Sequence, residues 1–193
     1  MTPVSIVLRD SGVFTIRPIQ SERELEVDAV VAMVNRCYRS TENWTNENAI
    51  LEGVRICRDS LKYNAKQFDI FVVEDPESKA IVGCIKTGLT QDTVVAKLPE
   101  SVGCIGLFAV SPDFQSRGLG SRIMRFAENF CREKGARRMA LEVLSVRNDI
   151  IAWYERCGYT NTGMSVDSAP FFKDKGEHML QPASFVLFIK LLV

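Results

Sequence analysis

The stretch LFAVSPDFQSRGLGSRIMRFAENFCREKG, residues 107–135, limits what this chain can fold into more than any other segment. An apolar, β-like run stops at Ser111-Pro112, passes through Gln115, Ser116, Arg117, Gly118, Leu119 and Gly120, and then adopts helical periodicity. Leu119, Ile123, Phe126, Ala127, Phe130 and Cys131 share one face of a helix expected over 118–134, and Gly135 offers a left-handed stop. A helix start leaves its first N–H groups without intrahelical acceptors, and the aligned peptide dipoles add about half a positive charge there. Glycine keeps Cβ atoms out of the way of an approaching ligand. The loop therefore suits a phosphate or pyrophosphate, with Arg117 adding fixed charge. The plain alternative is a tight turn whose glycines serve backbone geometry alone. No G-K-[ST] follows and G-x-G-x-x-G is absent, which excludes a Walker A loop and the dinucleotide fingerprint.

The rest of the chain supplies strands and helices around this unit. Residues 13–19 alternate as a strand that stops at Pro18. Leu25, Val27, Val30, Val31, Val34 and Tyr38 predict a helix after Ser21, a candidate N-cap with Glu24 three residues on. A second helix is expected over about 47–63 on Ile50, Leu51, Val54, Cys57 and Leu61. FDIFVVED and AIVGCIKTGLT form a hairpin through Pro76–Lys79, and GCIGLFAV reads as a central strand. RRMALEVL is a further strand, Asp149 is a candidate cap for the short helix IIAWYERC, and Gly158 ends it. Two β-like segments near 159–164 and 184–192 flank a polar stretch at 166–182. The order predicts an α/β fold (an α+β mixed sheet) with helices on both faces, as one domain over 1–193.

Composition narrows the function classes. Lys+Arg and Asp+Glu number 24 each, so no net field favours nucleic acid. No run approaches the ~20 apolar residues of a membrane span, and the N-terminus lacks the basic region of a secretion signal. Six cysteines lie far apart with no C-x-x-C pair, and the single histidine is His178, so no metal site is expected. Buried, reduced thiols point to a cytoplasmic protein.

Two motifs in order carry a family resemblance. VSPDFQSRGLGSRIM resembles the Q/R-x-x-G-x-G/A signature of the GCN5-related N-acetyltransferases (GNAT), matching at Gln115, Gly118 and Gly120. LEVLSVRNDIIAWYERCGYTNTG is similar to that family's second signature, a strand followed by a short helix. The resemblance runs from about residue 13 to the C-terminus. It implies a mostly antiparallel central sheet with one splayed parallel pair, and acetyl-CoA as the cofactor. It also implies that residues 115–120, with Ser121, hold the CoA pyrophosphate through backbone amides. Leu107, Phe108, Ala109 and Val110 would pair with the pantetheine arm in a V-shaped gap beside strand 137–144.

The same resemblance implies the chemistry: a primary amine, of a small molecule or a peptide, attacks the thioester directly. Such an amine is mostly protonated at neutral pH, with a pKa near ~10.4, so a base must take its proton. Tyr154 matches the family tyrosine that protonates the departing thiolate; core or surface packing is the alternative. Glu142 breaks an apolar strand, and a carboxylate there needs a partner or a task. It is the candidate base, its spacing to Tyr154 resembling that in ribosomal-protein alanine acetyltransferases; a simple ion pair with an arginine is the alternative. The histone-acetylating branch has a glutamate where Cys104 stands here, so that branch's base is missing. Arg147 replaces the family asparagine, leaving Asn148 as a weak CoA contact. His178 is a minor candidate base, and Arg122 and Arg125 are candidate contacts for the remaining CoA phosphate. Tyr38, Trp44, Arg55, Phe171 and Phe172 are candidate acceptor-site walls. A non-catalytic acyl-CoA sensor and a pure interaction domain stay open beside the enzyme. The apolar last strand, FVLFIKLL, could pair with a second copy in a homodimer.

Overall fold

The element order is β1 (Val4–Leu8), β2 (Gly12–Pro18), α1 (Glu24–Arg39), β3 (Leu51–Glu52), α2 (Arg58–Gln67), β4 (Asp69–Glu74), β5 (Ile81–Asp92) and β6 (Lys97–Val110). There follow α3 (Leu119–Glu133), β7 (Arg138–Leu144), α4 (Asn148–Arg156), β8 (Thr160–Asp167), α5 (Ala169–Asp174), β9 (His178–Met179) and β10 (Ser184–Leu191). This computed structural model describes residues 2–8, 12–40, 45–174 and 177–192. Two compact units emerge: Met1–Asn46, Val54–Thr87 and Leu107–Ala127 form one, and Glu47–Gly53, Gly88–Gly106 and Glu128–Val193 form the other. β5, β6 and α3 each run through both.

In the first unit the strands lie in the order β1-β2-β4-β5-β6, with antiparallel pairing from β1 to β5. α1 and α2 cover this sheet portion. Val27, Val30, Val34, Cys37 and Leu61 pack on Ile70, Val72, Cys84, Leu107 and Ala109, all buried. Arg17 on β2 ties the layers together, bonding Glu26 of α1 at 2.9 Å and Glu74 of β4 at 3.1 Å. Burial alone would raise the Glu26 carboxyl, but the bonds from Arg17 and the Gln20 amide outweigh it and hold its pKa below the usual range.

In the second unit the order is β5-β6-β7-β10-β8. β6 and β7 are parallel over Gly103–Ile105 against Met139–Leu141, while β7-β10 and β10-β8 are antiparallel. Gly103 is buried where a Cβ would stand 2.2 Å from Met139 Sδ and 2.7 Å from the Cys131 Cβ on α3. Phe172 and Phe185 anchor a second core with Ile50, Leu51 and Leu144. β8 is exposed along its length, with Gly163 at φ +79° and a register shift where it faces Val186–Phe188.

Several expectations change. Ser21 is not the cap of α1: the helix starts at Glu24 after Arg23, with no side-chain cap. The helix expected over 47–63 is instead the short strand β3 followed by α2, which Cys57 and Ser60 cap reciprocally. α4 starts at Asn148 behind Arg147, with Asp149 inside its first turn rather than at its cap. The polar stretch 166–182 contains α5 and β9, and β1 appears where no element was expected. β10 is flanked by β7 and β8, so its apolar face serves the core and the strand is no free edge for a second copy.

Gly103→Ala should lower unfolding free energy by about 1–3 kcal/mol in urea melts, since Cys131 Cβ and Met139 must both move. Glu26 contributes stability above the carboxylate's unfolded pKa and loses it as pH falls through the depressed folded value. Glu26→Gln should therefore flatten the acid limb of a stability–pH profile taken from thermal melts.

Candidate active site

Three features of the first unit converge on the end of β6. Leu107 adopts φ +43°, a left-handed conformation unusual for a residue with a side chain and costing of order 1–3 kcal/mol. The carbonyls around it are held by side chains. Cys84 Sγ donates to Leu107 O at 3.2 Å, Tyr38 Oη to Phe108 O at 2.8 Å, and Cys37 Sγ to Val110 O at 3.2 Å. Burial raises the Cys37 thiol to about 12 and pushes Cys84 higher still, so both remain neutral S–H donors. Gln115 Nε2 adds a second bond to Val110 O, at 2.9 Å, and reaches Thr45 Oγ1 at 3.4 Å. This short segment, Leu107–Val110, is thus fixed by four donors, two from α1, one from β5 and one from the loop that follows.

The glycine loop follows directly. Ser111 N donates to Val82 O, Pro112–Phe114 forms a single 3-10 turn, and Ser116 and Gly118 take φ of +60° and +81°. Those two left-handed residues turn the chain into α3, whose first helical bond runs from Arg122 N to Gly118 O. Among the described residues, no protein acceptor meets the N–H groups of Arg117, Gly118, Leu119, Gly120 or Ser121. Nothing lies within 4 Å of a Cβ placed on Gly118. Amides left without close protein acceptors at a helix start suit a doubly charged phosphate pair. Arg117 stacks 5.8 Å from the Phe114 ring centroid, while Arg122 and Arg125 are exposed on the first turns of α3.

Of the expected wall residues, Tyr38 and Arg55 belong to the first unit and Phe171 and Phe172 to the second. Tyr38 lies under Arg55 at 4.9 Å, and its hydroxyl is spent on Phe108 O. Gln115, expected at the pyrophosphate, uses its side chain to pin the loop to β6. Trp44 lies outside the described residues. In the second unit, Phe171 and Phe172 pack edge-on at 5.4 Å, and each contacts Phe185.

The second unit carries the candidate acid–base groups. Glu142 accepts the backbone N–H groups of Val94 and, at 3.3 Å, Val95, in the turn joining β5 to β6. Among the described residues its partners are these backbone amides, and no arginine pairs with it. Tyr154 is half-buried on α4, with Trp153 at 5.2 Å and Tyr159 at 6.0 Å between ring centroids. Arg147 is buried at the head of α4, clasping Asp149 through two nitrogens at 3.0 Å and reaching Glu47 at 3.6 Å. Asn148 is exposed beside it, His178 is exposed on β9, and Cys104 is half-buried on β6. The sequence pattern gave no sign of the donors Cys37 and Cys84. Only their placement at apolar, inward positions hints at them.

Comparison with known proteins completes the picture. Residues 28–159 match the family described as the acetyltransferase (GNAT) family. A streptothricin acetyltransferase of Streptomyces lavendulae is 38% identical over 73 residues, which is 37% of this chain and 38% of that relative's length. The ribosomal-protein-S18-alanine N-acetyltransferase from Escherichia coli shares the fold at TM-score 0.60 and 15% identity, over 93% of this chain and 94% of that one. A GNAT family acetyltransferase from Elizabethkingia anophelis, solved with acetyl-CoA bound, does so at TM-score 0.60 and 14% identity, over 93% and 98%. With the family match spanning more than half of its length, this chain belongs to the acetyltransferase (GNAT) family.

Proposed function

We propose that the chain is an acetyl-CoA-dependent N-acetyltransferase that acetylates a primary amine by direct attack in a ternary complex. The observation that carries this reading is the run of amides at 117–121 that make no close hydrogen bond among the described residues, presented by the left-handed turn at Ser116 and Gly118. These N–H groups grip the pyrophosphate, and the pantetheine arm lies along the clamped Leu107–Val110 segment. Acetyl-CoA is a substrate here. The amine nitrogen bonds to the acetyl carbonyl carbon, the C–S bond breaks, and the sulfur leaves as thiolate.

Tyr154 donates its proton to that thiolate and regains one from solvent. Glu142 takes the amine proton through a water. Its carboxylate has about four lone-pair sites, and the Val94 and Val95 amides use two. Cys37 and Cys84 are neutral and occupied with strand carbonyls, which supports direct attack over an acyl-enzyme. The acceptor is a small-molecule or peptide amine. Free cysteines at all six positions, three of them buried, support a reducing, cytoplasmic setting.

The deciding experiment is acetyl-CoA titration followed by thiol release across polyamines, amino acids, aminoglycosides and peptide N-termini. Binding without release on any of them would favour a sensor over an enzyme. Gly118→Val forces a β-branched residue to φ +81°, so it should lower unfolding free energy by about 1–2 kcal/mol in urea melts and, in protein that is still folded, weaken acetyl-CoA binding about tenfold or more by calorimetry. Tyr154→Phe should lower kcat about a hundredfold while the KM for acetyl-CoA stays within error.

A further inference from the structure

Beside the proposed acid lies a buried polar cluster that the chemistry above leaves unused. Glu128 of α3 is buried, and its carboxylate accepts bonds from Lys190 of β10 at 2.8 and 2.9 Å and from the Tyr159 hydroxyl at 3.1 Å. Tyr159 is 2% exposed. Burial, then the Glu128 charge and its hydrogen bond, drive the Tyr159 phenol far above the usual tyrosine range. Its proton stays in place at any working pH, so Tyr159 is a fixed donor to Glu128 and not an acid.

Tyr159 holds Tyr154 in two ways. Its backbone N–H donates to Tyr154 O at 3.1 Å, and its ring meets the Tyr154 ring edge-on at 6.0 Å and 66°. Gly158, at φ +91°, folds the chain back at the end of α4 so that both contacts form together. A Cβ on Gly158 would already touch Lys190 Cε at 3.5 Å. A buried ion pair with an attached phenol adds little stability over well-packed apolar side chains of similar volume. What it does add is direction: the oxygen anchor stops the Tyr159 ring from sliding, and that ring is one wall of the Tyr154 site.

We propose that Tyr159, anchored by Glu128 and Lys190, is the positioning residue that aims the Tyr154 phenol. The proposal rests on the reading of Tyr154 as the acid. Tyr159→Phe keeps the ring and the backbone bond and removes only the anchor. It should lower kcat about tenfold with the acetyl-CoA Kd unchanged. In a Tyr154→Phe background the same substitution should have no further effect, because there is no phenol left to aim. Additive losses in this double-mutant cycle would overturn the proposal, since a general structural role acts regardless of Tyr154.

A second measurement does not depend on turnover. The chain has four tyrosines, so ¹³Cζ-tyrosine labelling gives a simple spectrum. Tyr159→Phe should move the Tyr154 signal while those of Tyr38 and Tyr63 stay in place. An unmoved Tyr154 signal would overturn the positioning role. Wild-type turnover by Tyr154→Phe would instead overturn the acid assignment; a moved signal would then still support Tyr159 as the group that sets the Tyr154 ring.

Discussion

The end of β6 depends on hydrogen bonds to its own carbonyls. Leu107 sits in a backbone conformation that costs free energy, and it persists because the surrounding side chains leave the segment no alternative. Two thiols, one phenol and one carboxamide converge on three carbonyls, those of Leu107, Phe108 and Val110. Thiols are weak donors in water, yet buried and neutral they satisfy carbonyls that would otherwise be stranded. The α1–α2 core below is built around this: Cys37 and Cys84 are part of the same packed cluster as Val34, Leu61 and Val72. Core packing and backbone geometry are here one constraint, not two.

From that fixed point the chain passes into the glycine loop without slack. Ser111 bonds back to β5, Gln115 bonds back to β6, and only then do two left-handed residues turn the chain into α3. A loop that must present several N–H groups in parallel gains from being rigid, because the entropy of ordering it is then settled on folding rather than on binding.

How much of this the sequence disclosed differs from element to element. α3 was legible because its apolar face is unbroken and Gly135 closes it at φ +93°. The 47–63 segment was not. Ile50, Leu51, Val54, Cys57 and Leu61 are spaced as in a helix, but Gly53 turns at φ +101° and Leu51 is claimed by the Phe172–Phe185 core, so tertiary packing overrides local period. α5 hid in a polar stretch because it is brief; Ser168 donates to Ala183 O and Phe172 is buried, neither of which a composition reading detects. Glu142 was visible as an anomaly in an apolar strand, but its backbone partners lie in a turn 47 residues away and could not be read from spacing. Gln115 was found by motif, but the bond from its side chain to Val110 O could not be read there, since a motif reports a position and not a contact.

β8 has one further consequence. A strand exposed along its whole length, carrying Met164 and Val166 on its surface, invites other chains to extend the sheet. The left-handed kink at Gly163 and the slipped register opposite Val186–Phe188 break the straight row of amides and carbonyls that such stacking requires. That single glycine thus guards against fibre growth, by making the sheet margin a poor template for anything laid against it.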